Sequence, residues 1–216
     1  MPCQPRCGRR PAPLAAGLAL TVLATASCGS GPPGPPVPTV VLRSETPSTY
    51  LLRLDELPLP GFTAAQPAHD VDAATLGGDD AGAAQRLRDA GLLAASRVDY
   101  FREVPSLDTD TGPVEVIATV LRFGDVTGAD QGFAVLSARA DAAPGAEPVS
   151  TGPLGAGGHA TLIMATAPDG VVAVQVLLVW HRANLVNQVV IRERLAGSPV
   201  EDALHTVAPM VAREGT

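Results

Sequence analysis

The chain lacks one residue type altogether and is poor in another class. It contains no lysine, so all 15 basic residues are arginine, and aromatic residues make up only 3% of its 216 residues. A hydrophobic core must therefore come mainly from Val, Leu, Ile and Ala. Because every cation is an arginine, the use of arginine is in itself no evidence of anion recognition. No apolar run reaches the ~20 residues that a transmembrane helix needs.

The familiar catalytic motifs are also absent. The sequence has no Gly-x-Ser-x-Gly nucleophile elbow, no phosphate loop and no His-Glu-x-x-His helix. The glycine-rich segment 152–158 has no following lysine and leads into a predicted strand, whereas a phosphate loop needs a helix behind it. With no nucleophile, base and acid set to assign, we name no catalytic residue and expect that the chain is not an enzyme.

The N-terminus carries the pattern of an export signal. Residues 1–13 contain three arginines and no acidic residue, and they precede the apolar run Leu14–Ala24. A basic start followed by a short apolar run is typical of a secretory signal peptide. Since the run is far shorter than a membrane span, we expect it to be removed. The pair Arg9 and Arg10 leaves the twin-arginine export route open beside the general secretory route.

The four residues Thr25-Ala26-Ser27-Cys28 resemble the lipobox of bacterial lipoprotein precursors, with Thr25 where that family usually has Leu. The resemblance implies cleavage before Cys28, two acyl chains on this cysteine, and anchoring at the extracytoplasmic face of the cell membrane. Two acyl chains are enough for stable anchoring. Cys3 and Cys7 would leave with the signal, so no intramolecular disulfide remains. The predicted organisation is a signal peptide (1–27), the lipidated cysteine with a Pro/Gly-rich spacer (28–48) and a single domain (49–216).

The predicted mature part is acidic. Without residues 1–27 the chain keeps 12 basic and 22 acidic residues, a net charge of −10. Such a surface repels the phosphate backbone, so nucleic acid is excluded as a partner.

Hydrophobic periodicity and turn residues predict an α+β domain. Helices are predicted from Asp80 to Ala90, from Thr127 to Ala140 and from Ser198 onward, the last with a capping box and with Pro209 expected to kink or end it. Strands are predicted at about 95–104, 114–123, 159–167, 171–181 and 185–192. Short turns between them favour antiparallel pairing. We therefore expect an antiparallel sheet of about five strands with helices mainly on one face, and we interpret 51–62 as an edge element and turn and 70–80 as loop.

This order of elements, with Val179–Ile191 leading into the last helix, resembles the extracellular sensor domains of mycobacterial receptor kinases and lipoproteins built like them. The resemblance covers roughly residues 95–212 and is mainly topological. Those domains carry disulfide cysteines, which the predicted mature chain lacks. The resemblance implies an α+β fold and an extracytoplasmic compartment, and it carries over no ligand residue.

The polar clusters favour structural interpretations. His159 and His181 are expected near each other across the sheet, but the histidines lack the close spacing of a zinc site. The segment Leu107–Gly112 has two aspartates and a glycine, yet Ile117 stands where a calcium loop would place a bidentate glutamate. The acidic stretch around Asp70 and Asp80 is interpreted as solvated loop. No metal and no other cofactor is predicted.

The segment Val171–Trp180 is apolar on both faces, with Gln175 as its one polar interruption. In a strand with one solvent-exposed face, apolar and polar residues alternate. This segment has no such alternation, so other parts of the protein or a ligand must cover its second face. In one interpretation it is the central strand, packed between helices and segment 51–62. In the other, Val176, Leu178 and Trp180 form a face for an apolar ligand or partner.

These observations predict a membrane-anchored exported lipoprotein with a non-catalytic binding or sensor-like domain in the cell envelope. Its partners would be the membrane, through the lipid on Cys28, and an envelope protein or apolar ligand. The alternative is a carrier of lipid or another apolar molecule. A hydrolase is the second alternative.

The anchor can be tested directly. Because Cys28 is the one residue at the predicted cut that can be acylated, Cys28→Ala should release the chain from membranes or leave it unprocessed. Membrane fractionation and the intact mass of the mature chain are the measurements. An unchanged fraction together with an unchanged mass would contradict the anchor.

Overall fold

The computed structural model describes residues 40–103, 112–166, 172–194 and 197–215. Cys28 and the spacer before Val40 lie outside them. The chain from Val40 onward forms one compact unit. Within the described ranges, none of the helices combines the length and the hydropathy needed to cross a membrane.

The unit is built on a seven-stranded sheet in which neighbouring strands pair antiparallel. The strands are β1 (Phe62–Asp70), β2 (Leu92–Arg102), β3 (Pro113–Phe123), β4 (Ala146–Pro148), β5 (Gly158–Thr166), β6 (Val172–Arg182) and β7 (Leu185–Arg194), in the spatial order β1-β2-β3-β7-β6-β5-β4. The helices are α1 (Ala73–Gly77), α2 (Ala81–Asp89), α3 (Val126–Asp141) and α4 (Pro199–Glu214). Short 3-10 turns lie at Pro47–Tyr50, Leu54–Glu56 and Gly152–Gly157.

The α+β class and the antiparallel sheet are confirmed, but the expected strand number of about five is wrong. The two missed strands, β1 and β4, are the edges of the sheet. Of the nine residues of β1 only Phe62 is buried, and the strand contains Pro67, so it lacks the apolar alternation that marks a strand. β4 has three residues and ends at Pro148. Both elements owe their strand form to pairing with a longer neighbour.

Each face of the sheet carries its own hydrophobic cluster. α1, α2 and α3 pack on one face, around Leu87, Phe123 and Leu136. α4 packs on the opposite face, where Val207 and Met210 meet the strands beside the segment Tyr50–Leu52. Three of the four α-helices thus share a face, and the fourth covers the other.

β6 lies at the centre of this arrangement. Val176, Leu178 and Trp180 point toward α4, whereas Leu177 and Val179 point toward α3. The side chains pointing toward α4 are at most 3% exposed. Because other elements cover both sides of β6, its sequence does not alternate between apolar and polar residues.

Aspartate caps fix the first residues of α1, α2 and α3. Asp80 caps α2 by accepting a hydrogen bond from the Ala83 amide at 3.0 Å, as the sequence predicts. α3 begins earlier than predicted, because Asp125 accepts from the Gly128 amide at 2.7 Å and takes the capping role expected of Thr127. The stretch 70–80, interpreted as loop, contains α1, which Asp72 caps in the same way.

The last helix departs from its prediction at both ends. Ser198 precedes Pro199 as expected, but its hydroxyl makes no cap hydrogen bond, since its backbone has ψ 76° and its side chain is short. Asp80 has a similar ψ of 89° and reaches its amide with a side chain one bond longer. Pro209 does not end α4, which continues to Glu214. Contacts beyond the proline hold the final turn.

Those contacts join the final turn of α4 to the segment 50–56 and to β6. Arg213 donates hydrogen bonds to the carbonyls of Tyr50 (3.2 Å) and Leu51 (2.9 Å), and it pairs with Glu56. The Trp180 indole donates to the buried carboxyl of Glu214 at 2.9 Å. These bonds compensate for the backbone bond to His205 that Pro209 cannot make.

The two faces of β6 give a matched pair of substitutions. Leu178 is fully buried under α4, so Leu178→Ala should lower the free energy of unfolding by ~2–5 kcal/mol. Leu177 is half-buried, so Leu177→Ala should cost clearly less. Urea denaturation of both variants checks this difference. Equal costs would show that the two faces are covered alike.

Candidate functional site

The face of the sheet under α1 and α3 is only partly covered. Beyond the two helices the strands leave a groove of about 350 Å³. Its walls come from α1 and the chain just before it (Val71, Thr75, Leu76) and from the end of α3 and the chain just after it (Arg139, Ala140, Ala143). Its floor is made of strand side chains: Arg97, Ile117, Thr119, Ile163, Gln175, Leu177, Gln188, Val190 and Arg192. We call this the central groove.

The floor of the central groove mixes apolar and hydrogen-bonding side chains in register. Ile117 of β3, Val190 of β7 and Leu177 of β6 are cross-strand neighbours and make an apolar row. Two residues further along β3, Thr119 lies opposite Gln188 of β7. A ligand on this floor would therefore meet an apolar strip beside amide and hydroxyl groups.

Two of the three arginines in the lining are already paired with carboxylates. Arg97 holds Asp99 through two hydrogen bonds of 2.7 and 2.9 Å, and this contact raises the pKa of the arginine. Arg192 donates to Glu115 at 2.7 Å and to the Gln175 side chain at 2.9 Å. Each pair holds its guanidinium in a fixed position.

Arg139 differs from these two. Its guanidinium donates to the backbone carbonyl of Leu76, which joins the end of α3 to α1. It is half-buried, and within the described ranges no carboxylate forms a hydrogen bond or ion pair with it. The positive charge of Arg139 therefore faces the central groove without a matching negative charge.

The charge of the lining contrasts with that of the chain. Acidic residues outnumber basic ones by 22 to 15, yet the lining of the central groove contains three arginines and no aspartate or glutamate. Arginine as a residue type carries no information in a chain without lysine. Asp99 and Glu115 neutralise two of these three arginines, so the net positive charge at the groove is that of Arg139, whose field the low-dielectric walls strengthen.

The residues that the sequence offered as an apolar face lie elsewhere. Val176 and Leu178 are fully buried and Trp180 is 3% exposed, all beneath α4. A ligand would reach them only if α4 moved aside. Their neighbour Leu177, on the opposite face of the same strand, is the one that lines the central groove.

A second groove, of about 670 Å³, runs along the outer side of α4. It is lined mainly by apolar groups, among them Val200, Leu204 and Ala208, with Ser150 and Gly152 on its other side. It is wider open than the central groove, and no strand side chain forms its floor. A ligand there would keep much of its surface in water.

His159 and His181 each bind a different aspartate of α3. The His159 ring lies 2.9 Å from Asp141, and the His181 ring lies 3.2 Å from Asp130. Thr161 contacts His159 through the same ring nitrogen, Nε2, that meets Asp141, and Thr161 is fully buried. A nucleophile relay uses both ring nitrogens, so these three residues do not form one.

The acidic clusters have structural roles where they are described. Asp72 and Asp80 cap helices, and Asp70 accepts a hydrogen bond from the Ser96 hydroxyl at 3.0 Å. The calcium-loop candidate 107–112 lies outside the described residues except for Gly112. In the part of the chain that the structure covers, no three potential metal ligands come together.

One buried carboxyl group is not explained by these contacts. Glu193 of β7 is 2% exposed, and neither of its carboxyl oxygens has a hydrogen-bond partner in the described structure. Burial, and then the negative charge of Asp202 on α4, raise the pKa of Glu193 to about 7. Burial also raises the pKa of Glu214.

Sequence reasoning missed the central groove, although part of the signal was present. Gln175 is the one polar residue in the apolar run Val171–Trp180. The short turn between β6 and β7 fixes the register that places Gln175 opposite Arg192. Arg139 could not be found in this way, because it reaches the groove from a helix whose position over the sheet no local pattern reveals.

Comparisons with known proteins give a structural neighbour and no sequence relative. No protein-family model and no curated protein sequence matches the chain. Among solved structures, the chain is similar to the extracellular domain of PknH from Mycobacterium tuberculosis, with 12% identity and a TM-score of 0.46 over 78% of this chain and 94% of that chain. This neighbour belongs to the class of mycobacterial extracellular domains that the order of elements resembles.

Glu193 predicts a pH dependence of stability with a definite sign. Its carboxyl has a pKa raised from 4.5 to about 7 by folding, so its contribution to stability is complete below pH 4.5 and is lost as the pH rises through 7. The free energy of unfolding should fall between pH 5 and pH 8, and Glu193→Gln should flatten that fall. Urea denaturation across this range is the measurement, with Glu147→Gln on exposed β4 as control. An identical slope in wild type and Glu193→Gln would contradict the raised pKa.

Proposed function

We propose that the chain is an exported lipoprotein, tethered by Cys28 to the extracytoplasmic face of the cell membrane, whose domain binds a small amphipathic anion. In this proposal the domain acts as a sensor or receptor and carries out no catalysis. The observation that carries the ligand assignment is the central groove, where an unpaired arginine charge lies beside an apolar strip. The signal and lipobox residues support the compartment.

The chemistry of the groove supports this class of ligand. A carboxylate or similar anion would satisfy the charge of Arg139, with the side-chain amide groups of Gln175 and Gln188 as additional hydrogen-bond donors. An alkyl or other apolar part would cover Ile117, Leu177 and Val190. A volume of about 350 Å³ lies at the small end of the range for ligand pockets, ~300–1,000 Å³. The ligand is thus a small molecule rather than a long lipid.

A carrier of apolar molecules is the second candidate, and the groove along α4 favours it. That groove is larger and mainly apolar. It offers no charged anchor matching Arg139, and its openness leaves a bound molecule half in water. We therefore place it second, since ligand sites generally bury most of the ligand surface.

Calorimetric titration with octanoate and its neutral analogue octanamide separates the two candidates. If the central groove is the site, the domain binds octanoate more tightly than octanamide. Arg139→Gln then lowers the affinity for octanoate by at least about tenfold and leaves the affinity for octanamide unchanged. Arg139→Lys keeps the charge and should retain part of the preference. Arg88→Gln, on the exposed side of α2, is the matched control.

The groove along α4 would give a different pattern. Leu204→Ser would lower the affinities for octanoate and octanamide alike, and Arg139→Gln would change neither affinity. That result would replace the anion sensor by the carrier. Equal binding of both compounds by every variant, or binding of neither compound, would contradict both assignments.

A further inference from the structure

The first described residues form an exposed apolar segment. Val40, Val41 and Leu42 are 55%, 72% and 47% exposed, and they follow one another directly. Single exposed apolar side chains are common on protein surfaces, but three in a row are unfavourable unless something covers them. We call residues 40–42 the apolar segment.

Hydrogen bonds fix this segment to one end of the sheet. The Arg43 amide donates to the Asn184 side chain at 2.7 Å, and that side chain donates back to the Arg43 carbonyl at 3.0 Å. Asn184 is part of the tight turn between β6 and β7. The Arg43 guanidinium also donates to the Glu214 carbonyl at 3.0 Å, at the end of α4. The apolar segment therefore projects from a fixed base.

A fourth exposed apolar side chain lies at the same end. Phe123 donates its backbone amide to the Asn184 carbonyl at 2.9 Å, and Phe123 is paired in register with Leu92. Leu93, next along β2, is 60% exposed. By contrast, Phe101 and Met164, both 48% exposed, lie near the opposite ends of their strands.

We infer that the apolar segment and Leu93 form a membrane-contacting surface, which rests in the interface of the bilayer to which the chain is tethered. This inference rests on the proposed anchoring at Cys28. Only 11 residues lie between Cys28 and Val40, and their full extension spans at most about 40 Å, so the tether delivers this end of the domain to the bilayer. The apolar side chains enter the headgroup boundary, and the central groove stays accessible on one face of the sheet.

The bilayer is the occupant that the arrangement favours. Apolar groups at a membrane surface bury about 5–10 Å into the boundary between headgroups and acyl chains. A tethered chain meets this surface at a high effective concentration, so a few apolar side chains are enough to hold it there. A soluble protein partner would have no such advantage at this end.

Depth-dependent fluorescence quenching tests the inference on the full lipidated chain. The mature chain has no cysteine except Cys28, whose sulfur carries the lipid, so Val41→Cys, Leu93→Cys and Met164→Cys each give one free thiol for an environment-sensitive label. The chain is reconstituted in vesicles of phosphatidylcholine and phosphatidylglycerol containing brominated lipid. We expect labels at positions 41 and 93 to be quenched at least about twofold more than the label at position 164.

A polar version of the segment provides the second arm. In the background Val40→Ser, Val41→Ser and Leu42→Ser, the quenching of the label at Leu93→Cys should fall toward that of Met164→Cys, while the chain still floats with the vesicles. These positions are exposed, so the melting temperature should not change. The inference would be overturned by equal quenching at all three sites. It would also be overturned if the label at Leu93→Cys were quenched equally with and without the three serine substitutions. If Cys28 itself takes up label, its sulfur carries no lipid. Together with failure of the chain to float with vesicles, that result would contradict both the anchor and the inference.

Discussion

The fold depends on the burial of the hairpin formed by β6 and β7 at the centre of the sheet. The strand β6 is apolar on both faces, so layers on both sides must cover it. α4 and the segment Tyr50–Leu52 complete one layer. On the other side α1, α2 and α3 cover only part of the strands. The central groove is the part of the sheet that this second layer leaves open.

Much of the domain could be predicted from its sequence. The interior strands are long, apolar and separated by recognisable turns, and Asp80 marks the start of a helix by its capping chemistry. The edge strands β1 and β4 could not be predicted, because their own residues have little strand pattern and pairing supplies the order. The continuation of α4 through Pro209 was equally hidden. It depends on Arg213 and Glu214 binding residues far away in sequence.

The candidate site shows the same division. The sequence pointed to β6 but favoured, for a ligand, the face of Val176, Leu178 and Trp180, which lies beneath α4. The face that borders the groove is the one interrupted by Gln175. Choosing between the two faces requires knowing where α3 and α4 pack. The charge of Arg139 belongs to the site for a tertiary reason as well, since α3 carries it over the strands.

The central claim is that an anion binds the open half of the sheet beneath Arg139. The most direct measurement is the ¹H–¹⁵N spectrum of the glutamine side-chain amides during a titration with octanoate. The account predicts that the amide signals of Gln175 and Gln188, which line the central groove, shift together and saturably. The signals of Gln66, Gln85 and Gln131, outside that lining, should stay in place. Shifts that spare Gln175 and Gln188, or no shifts at all, would contradict the claim.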